Sequence, residues 1–179
     1  MAKPDPDIKP GRYDSDMPDY SDPGQDDFAA LARDLIPVRS MKVEDLDAII
    51  RIDRLLTGRE RRNYYRRKLD DVMGRTGIRL SLIAEVDGAP AGFVMARVDY
   101  GEFGMPEPAA VIDTIGVDPG HARAGIGHAL MSQLMTNLST LHVETVRTEI
   151  AWDNFGLLDF LAKHGFTPSQ RLVLSKWVE

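Results

Sequence analysis

Cysteine is absent from this chain of 179 residues. Its absence excludes a disulfide-stabilised scaffold, a thiol nucleophile and a metal site with cysteine ligands. Long apolar runs are absent too. None approaches the roughly 20 residues of a membrane-spanning helix, so no membrane partner is expected. The histidines show no spacing typical of metal ligands, so no metal is expected either. They are His121, His128, His142 and His164.

An apolar leader is also missing. The first ten residues, MAKPDPDIKP, lack the apolar core of a secretory signal peptide, which predicts a cytoplasmic protein. Residues 1–27 hold five of the eleven prolines, and their eight Asp against two Lys and one Arg carry most of the net charge of −6. Such a segment buries too little apolar surface to offset its ordering entropy. We therefore predict a disordered acidic tail over residues 1–30 and one folded domain over residues 31–179.

Hydrophobic periodicity divides the folded part into strands and helices. The predicted strands cover residues 35–39, 79–86, 91–98, 110–117, 145–152 and 171–177, and the predicted helices cover residues 43–56, 59–73, 126–138 and 154–164. Residues 100–108, rich in glycine and acidic side chains, are expected to form a long connection between two strands. This order of elements predicts a mixed α/β sheet.

The most informative segment is VDPGHARAGIG, from Val117 to Gly127. An apolar strand stops at Asp118-Pro119, a loop follows, and two glycines open an amphipathic helix. Glycines let backbone N–H groups approach a ligand, and the N–H groups at a helix start are unpaired and lie at its positive end. Together they predict a pyrophosphate site, although the spacing fits neither the dinucleotide fingerprint nor the P-loop. The alternative is a strand-to-helix turn that only needs glycine.

This segment resembles the signature of the GNAT superfamily of acetyl-CoA-dependent N-acetyltransferases, in which V-x-P is followed by [RQ]-x-x-G-x-[GA]. The match runs from Val117-Asp118-Pro119 into Ala122-x-x-Gly125-x-Gly127. A later family pattern of strand, Asn, helix and Gly-Phe also matches, at residues 145–152, Asn154 and Gly165-Phe166. The resemblance extends from about residue 35 to residue 177. It implies an α/β (α+β) fold of GNAT type, with a mixed, mostly antiparallel central sheet flanked by helices.

The resemblance also implies a reaction: transfer of an acetyl group from acetyl-CoA to a primary amine by direct attack, without an acyl-enzyme or a metal. The strand at Ile115, Gly116 and Val117 would pair with the pantetheine amides and polarise the thioester. The loop would hold the pyrophosphate through Arg123, Ala124, Gly125, Ile126, Gly127 and His128. Asn154 would bond the pantetheine arm, and a plain helix N-cap is its alternative role.

Two strand carboxylates are candidates for the base that removes the amine proton. Glu149 lies five residues before Asn154, where N-terminal and ribosomal-protein acetyltransferases of the family carry their base. Its alternative is a solvated neighbour of Arg147. Asp113 is expected on the same strand face as Ile115. A carboxylate on an apolar face is costly unless it is paired or protonated, so it invites a functional explanation. Its alternative is a strand-end or bulge residue that reaches water.

The chain departs from the family pattern at two positions. Ala122 replaces the usual Arg or Gln, and Arg123 beside it is a candidate substitute. Leu161 stands where many members carry a tyrosine that serves as general acid. The available tyrosines, Tyr64, Tyr65 and Tyr100, are either substitute acids or packing residues. These departures leave open a second function, a catalytically weak acyl-CoA-binding regulatory or interaction module with the same fold.

The basic segment, residues 59–68, has six Arg or Lys in ten positions. In the family this region forms one wall of the acceptor site, and the alternative is a solvated helix face. The rest of the folded part shows no basic stripe and is nearly neutral, which disfavours nucleic acid as the main ligand. The acceptor stays open between a protein N-terminus, a lysine and a small amine. The assembly state also stays open, with a homodimer as one outcome.

Overall fold

The computed structural model describes residues 35–74, 80–102, 105–170 and 173–178. Its strands are β1 (Val38–Ser40), β2 (Leu82–Val86), β3 (Ala89–Glu102), β4 (Met105–Val117) and β5 (Thr145–Thr148). Its helices are α1 (Leu46–Thr57), α2 (Arg62–Gly74), α3 (Ile126–Thr140) and α4 (Phe155–Lys163), with 3-10 turns at Val43–Asp45 and Pro119–His121. The predicted acidic tail, residues 1–30, lies outside the described residues.

The strands form one sheet in the order β1-β2-β3-β4-β5. Every pairing is antiparallel except that of β4 with β5, which is parallel. The predicted mixed, mostly antiparallel sheet flanked by helices is therefore confirmed. None of the described helices is long and apolar enough to cross a membrane.

Each face of the sheet has its own apolar cluster. Strand β3 contributes side chains to both clusters, because successive side chains of a strand point to opposite faces. Val94 and Ala96 pack with the buried stripe of α3, whereas Phe93 and Met95 pack with α1 and α2. The α3 stripe recurs at helical spacing, at Ile126, Leu130, Leu134 and Leu138. The α1 and α2 side includes Ile49, Ile50, Ile52, Tyr65 and Leu69. The sheet is thus covered by helices on both sides.

The predicted long connection over residues 100–108 is wrong. β3 continues to Glu102 and β4 begins at Met105, and Tyr100 pairs with Pro108. The register shifts between Tyr100 and Glu102, where the single residue Gly101 of β3 faces two residues of β4, so the irregularity lies inside the ladder. Glycine in a strand often marks such a bulge, and here its presence suggested a loop instead.

A second bulge lies in β4 at Asp113. Met95 of β3 pairs with Thr114 and Ala96 pairs with Ile112, so Asp113 is the extra residue. β5 pairs with β4 only over residues 109–112, and beyond Ile112 β4 pairs only with β3 among the described residues. The predicted strand over residues 145–152 therefore ends early, at Thr148. A bulge bends its strand and disrupts the ladder, so β4 and β5 diverge at this point.

The two outermost predicted strands also differ from the structure. The first begins at Val38 rather than at residue 35, because Pro37 has no N–H to donate to a ladder. At the other end, residues 173–178 form no strand, although residues 171–177 were predicted to be one. Val173, Leu174 and Trp177 are exposed there. The apolar alternation predicts a strand, but no described strand pairs with this segment.

Candidate active site

A cleft opens where β4 and β5 diverge, and it runs from α4 past the start of α3 to α1 and to Arg61, just before α2. Its volume of about 1080 Å³ is large enough for an extended ligand. Nine of the ten predicted cofactor-binding residues line it. They are Ile115, Gly116, Val117, Arg123, Gly125, Ile126, Gly127, His128 and Asn154. The tenth, Ala124, is exposed beside them and is not part of the lining.

The loop that enters the cleft is held at its start by Asp118. Its buried carboxylate accepts a hydrogen bond from the Gly120 N–H at 2.9 Å and an ion pair from Arg51 at 2.7 Å. The Gly120 N–H and the Arg51 guanidinium hold the pKa of this carboxyl below its ordinary value. Sequence reasoning missed Arg51, because this contact joins residues 67 positions apart.

The start of α3 forms a backbone cradle. Arg123 and Gly125 both have left-handed backbone, with φ of 64° and 82°. Gly125 is the N-cap, and no side chain caps the helix start. The first intrahelical bond runs from the Ala129 N–H to the Gly125 carbonyl, so the N–H groups ahead of it have no helical acceptor. Such a succession of N–H groups at a helix start suits an anion.

Gly127 has a packing reason of its own. A Cβ placed there would meet the Phe160 ring at 3.0 Å, which is tighter than ordinary van der Waals contact. Glycine therefore lets α3 approach α4 closely. The two signature glycines are thus needed for different reasons. Gly125 has a left-handed backbone conformation, and Gly127 leaves room for the close packing of α3 against α4.

Asn154 caps α4, and its side chain accepts a hydrogen bond from the Leu157 N–H at 3.2 Å. The alternative role given to Asn154 is therefore present in the structure, and the residue lines the cleft as well.

A pair of imidazoles lies between α3 and α4. The His128 Nδ1 and the His164 Nε2 are 3.0 Å apart, and the His164 Nδ1 is 2.8 Å from the Phe160 carbonyl. Because a carbonyl only accepts, the His164 Nδ1 donates to it, and the His164 Nε2 faces the His128 Nδ1. Both rings line the cleft. The sequence analysis did not identify His164 as a cleft residue. It lies next to the Gly165-Phe166 pattern, and that pattern does not indicate that the preceding side chain lines a site.

The two predicted catalytic carboxylates have different surroundings. Glu149 is exposed just beyond the end of β5. Asp113 accepts hydrogen bonds from the Lys68 Nζ at 2.6 Å and from Arg97. Neither carboxylate is among the described residues that line the cleft.

The expected shared face of Asp113 and Ile115 is wrong. Ile115 packs against the α3 side of the sheet, whereas Asp113 reaches Lys68 on α2. The bulge changes the alternation of β4, because one extra residue moves the following side chains to the other face. The bulge alternative stated for Asp113 therefore fits the structure, with two cations in place of water.

The position of the usual tyrosine belongs to the core. Leu161 is buried among the apolar side chains on the α3 side of the sheet. Tyr65 is fully buried, and its hydroxyl donates to Asp53 at 2.9 Å. Burial raises the pKa of Tyr65 to about 12, so the phenol stays protonated at neutral pH. The side chain of Tyr100 lies outside the described part.

The far end of the cleft is polar and was not predicted in detail. Asp53 on α1 is nearly buried, and its carboxylate binds the Arg61 guanidinium through Nε at 2.9 Å and through Nη2. Two other cations of the basic segment pair elsewhere, Arg62 with Asp47 on the surface and Lys68 with Asp113 of β4. Of the basic segment, only Arg61 has a cationic side chain among the described residues that line the cleft.

A comparison with protein-family models finds one match, the Acetyltransferase (GNAT) family, over residues 46–166. The chain belongs to this family. The match spans more than half of the chain and contains both the backbone cradle and the helix α4. No curated protein matches the sequence significantly.

Solved structures of GNAT enzymes share this fold. The aminoglycoside N-acetyltransferase AAC(6')-Iy in complex with CoA is 17% identical, with a TM-score of 0.67 over 79% of this chain and 94% of that one. The ribosomal-protein-S18-alanine N-acetyltransferase of Escherichia coli is 20% identical, with a TM-score of 0.62 over 75% and 79%. A GNAT-family acetyltransferase of Bacillus cereus is 25% identical, with a TM-score of 0.56 over 75% and 84%. The protein is thus a GNAT acetyltransferase domain, and the two neighbours whose names state an acceptor differ in it, one naming an aminoglycoside and the other a ribosomal-protein alanine.

Proposed function

We propose that the protein transfers an acetyl group from acetyl-CoA to a primary amine by direct attack. The observation that carries this proposal is the divergence of β4 from β5, which leaves one edge of β4 facing a cleft with a backbone cradle at its mouth. The cytoplasmic location stays a prediction of the sequence, and the assembly state stays open.

The residues present fit acetyl-CoA. The N–H groups at the start of α3 would bind its pyrophosphate, and the helix dipole adds attraction for the negative charge. Because this cradle is mostly backbone, Ala122 in place of Arg or Gln removes one side chain without removing the site. The open edge of β4 at Ile115, Gly116 and Val117 would pair with the pantetheine amides. Acetyl-CoA supplies an activated acyl group, and a backbone N–H of this edge would polarise its carbonyl.

The amine must be neutral to attack, so a base has to remove its proton. We assign this role to Glu149, which would act through water because it lies outside the cleft lining. Asp113 is the competing candidate, although both of its oxygens already accept bonds from Lys68 and Arg97. No acid is assigned to the leaving thiolate, because Leu161 cannot donate a proton.

One observation favours a second candidate function, an acyl-CoA-binding regulatory or interaction module with weak turnover. Leu161 is packed into the core, and the hydroxyl of Tyr65 is held by Asp53 away from solvent. Neither offers an acid at the position where many family members have one. Such a domain would bind the cofactor in the same cleft and release its acyl group slowly.

The two candidates are separated by measuring thiol release from acetyl-CoA over a panel of amines, beside a calorimetric titration of acetyl-CoA. The panel contains amino acids, their amides, diamines, short peptides and the aminoglycoside sisomicin. Amine-dependent thiol release, with the acetylated amine identified by mass, supports the transferase. Tight binding without turnover on any amine supports the binding module. Absence of binding would contradict both.

A further inference from the structure

One end of the cleft lies beyond the space that acetyl-CoA would occupy. The cradle lies at one end, and the open edge of β4 leads away from it toward α1 and Arg61. If the proposed function holds, the acyl carbon lies near Ile115, and the space beyond it belongs to the acceptor. That space is lined by Leu56, Thr57, Arg61, Asp53, Phe93 and Thr114.

Arg61 is held rigidly in this space. Its Nε and Nη2 bind the Asp53 carboxylate, and its Nη2 also donates to the Tyr65 hydroxyl at 3.3 Å. The guanidinium lies over the rings of Tyr64 and Tyr65, 5.4 and 5.6 Å from their centroids. A guanidinium fixed in this way loses little conformational entropy when it binds a ligand.

Arg61 is also available to a ligand. Its side chain is 40% exposed although its partner Asp53 is nearly buried. Within the described part of the chain, Nη1 has no hydrogen-bond partner, so its two N–H groups meet no acceptor among those residues. An arginine with free N–H groups at the wall of a cleft matches a carboxylate or phosphate oxygen.

Arg61 lies close to the part of β4 where the reaction is expected. Arg61 and Thr114, the residue before Ile115, line the same cleft. The Tyr65 hydroxyl accepts a hydrogen bond from Arg61, and Tyr65 packs with Phe93 of β3, the strand that pairs with β4. A ligand group bound by Arg61 would therefore lie on the acceptor side of the expected acyl position.

The charges of this end do not suit a polycation. Asp53 is the only carboxylate among the described residues that line the cleft, and Arg61 already neutralises it. The other permanent cations of the lining, Arg123 and Lys163, lie on the cofactor side. A polyamine acceptor would find no unpaired carboxylate in the described lining, whereas an acceptor with its own carboxylate finds Arg61.

From these contacts we infer that Arg61 binds a carboxylate of the acceptor, so that the amine substrate is an amino acid or the α-amine of an acidic peptide. This inference rests on the proposed function for the position of the acyl group. In the reaction, the amine nitrogen forms a bond to the acetyl carbon, and the carbon–sulfur bond breaks with its electron pair on sulfur. The proton lost by the nitrogen goes to the base, and CoA leaves as the thiolate, which takes a proton from solvent. Arg61 takes no part in these steps and acts as a specificity residue.

The test compares each amino acid with its own amide as acceptor, and both with sisomicin. The amide has the less basic amine and more of it is neutral at pH 7, so reactivity alone favours the amide. We expect kcat/KM to favour the carboxylate by about tenfold or more, mostly through KM, and no acetylation of sisomicin. In Arg61→Lys this preference should fall at least about tenfold, with unchanged acetyl-CoA affinity. Arg62→Lys, next to it and paired on the surface, is the matched control and should keep the preference.

A second measurement does not require turnover. N-acetyl amino acids and their amides are titrated into the CoA-loaded protein, and the carboxylates should bind more tightly in an Arg61-dependent manner. This preference without any turnover would support the inference while the proposed function fails. If Arg61→Lys melts early, Arg61→Gln combined with Asp53→Asn keeps the hydrogen bonds and removes both charges.

Three results would overturn the inference. One is equal use and equal binding of acids and amides by the wild type. Another is a preference that survives both the Arg61→Lys and the double variant. The third is an Arg61-dependent preference for succinyl-CoA over acetyl-CoA with no effect on the acceptor, because that would place the carboxylate on the acyl donor.

Discussion

At the scale of single residues, the two candidate bases have different surroundings. Asp113 is paired with Lys68 and Arg97, and removing its charge would leave two cations facing each other. Glu149 is exposed, and a substitution there has little to disturb. Replacing each carboxylate by its amide is therefore expected to affect turnover and stability differently at the two positions.

We expect Glu149→Gln to lower turnover about 10²- to 10⁴-fold at pH 7, because the amide keeps the shape of the side chain but accepts no proton. The loss should shrink as the pH rises toward the pKa of the acceptor amine, where neutral amine is abundant without help. Acetyl-CoA affinity should hardly change. The measurement is a pH profile of kcat with an acceptor from the amine panel. Full turnover of Glu149→Gln at pH 7 would mean that Glu149 is only a surface residue.

Asp113→Asn is the competing variant in that experiment. Because Asp113 is held by two cations, we expect this change to lower the melting temperature and to leave kcat nearly unchanged. A larger, pH-dependent loss of kcat in Asp113→Asn than in Glu149→Gln would transfer the role of base to Asp113.

The residues of the backbone cradle could be predicted from sequence, because their pattern is local and contiguous. The polar end of the cleft could not. Asp53 lies on α1 and Arg61 in the connection just before α2, and Arg51 reaches Asp118 across the fold. Only the tertiary arrangement brings such side chains together, so the basic segment alone could not single out Arg61.

At the scale of elements, the order of strands and helices could be predicted, but the two bulges of the β3–β4 ladder could not. The position of a bulge depends on how two strands align, and the sequence of β4 alone does not indicate it. The bulge at Asp113 has the larger effect, because β5 stops pairing with β4 next to it and the cleft begins there. The prediction that Asp113 shares a face with Ile115 is wrong for the same reason, because the bulge places the two side chains on opposite faces of the sheet.

The close approach of α3 to α4 gives an element-scale prediction. We expect Gly127→Ala to destabilise the protein by roughly 1–2 kcal/mol, because the new Cβ meets the Phe160 ring at 3.0 Å. Phe160→Leu in the same chain should recover part of this loss by making room. Thermal unfolding of the two single variants and the double variant checks the coupling. Additive effects of the two substitutions would mean that Gly127 is not required for this contact.

At the scale of the whole molecule, the family match covers residues 46–166 and leaves the acidic tail outside it. We expect removal of residues 1–27 to change neither the melting temperature nor the acetyl-CoA affinity appreciably, because this segment has almost no aliphatic side chains to add to a core. Parallel melts and titrations of the full and shortened chains check this. A large drop in melting temperature would show that the tail docks on the folded domain, with the basic segment as its natural partner.

The central claim is that the start of α3 binds the pyrophosphate of acetyl-CoA, and Ala124 offers the most direct test. Ala124 is exposed and immediately precedes the N-cap Gly125, so a longer side chain fits without strain. A carboxylate there repels phosphate but favours the helix start, so Ala124→Glu should fold normally. The measurement is a calorimetric titration of acetyl-CoA at low ionic strength with Ala124→Glu and its neutral match Ala124→Gln. We predict at least about tenfold weaker binding for Ala124→Glu than for Ala124→Gln, and equal affinity of the two folded variants would contradict the claim.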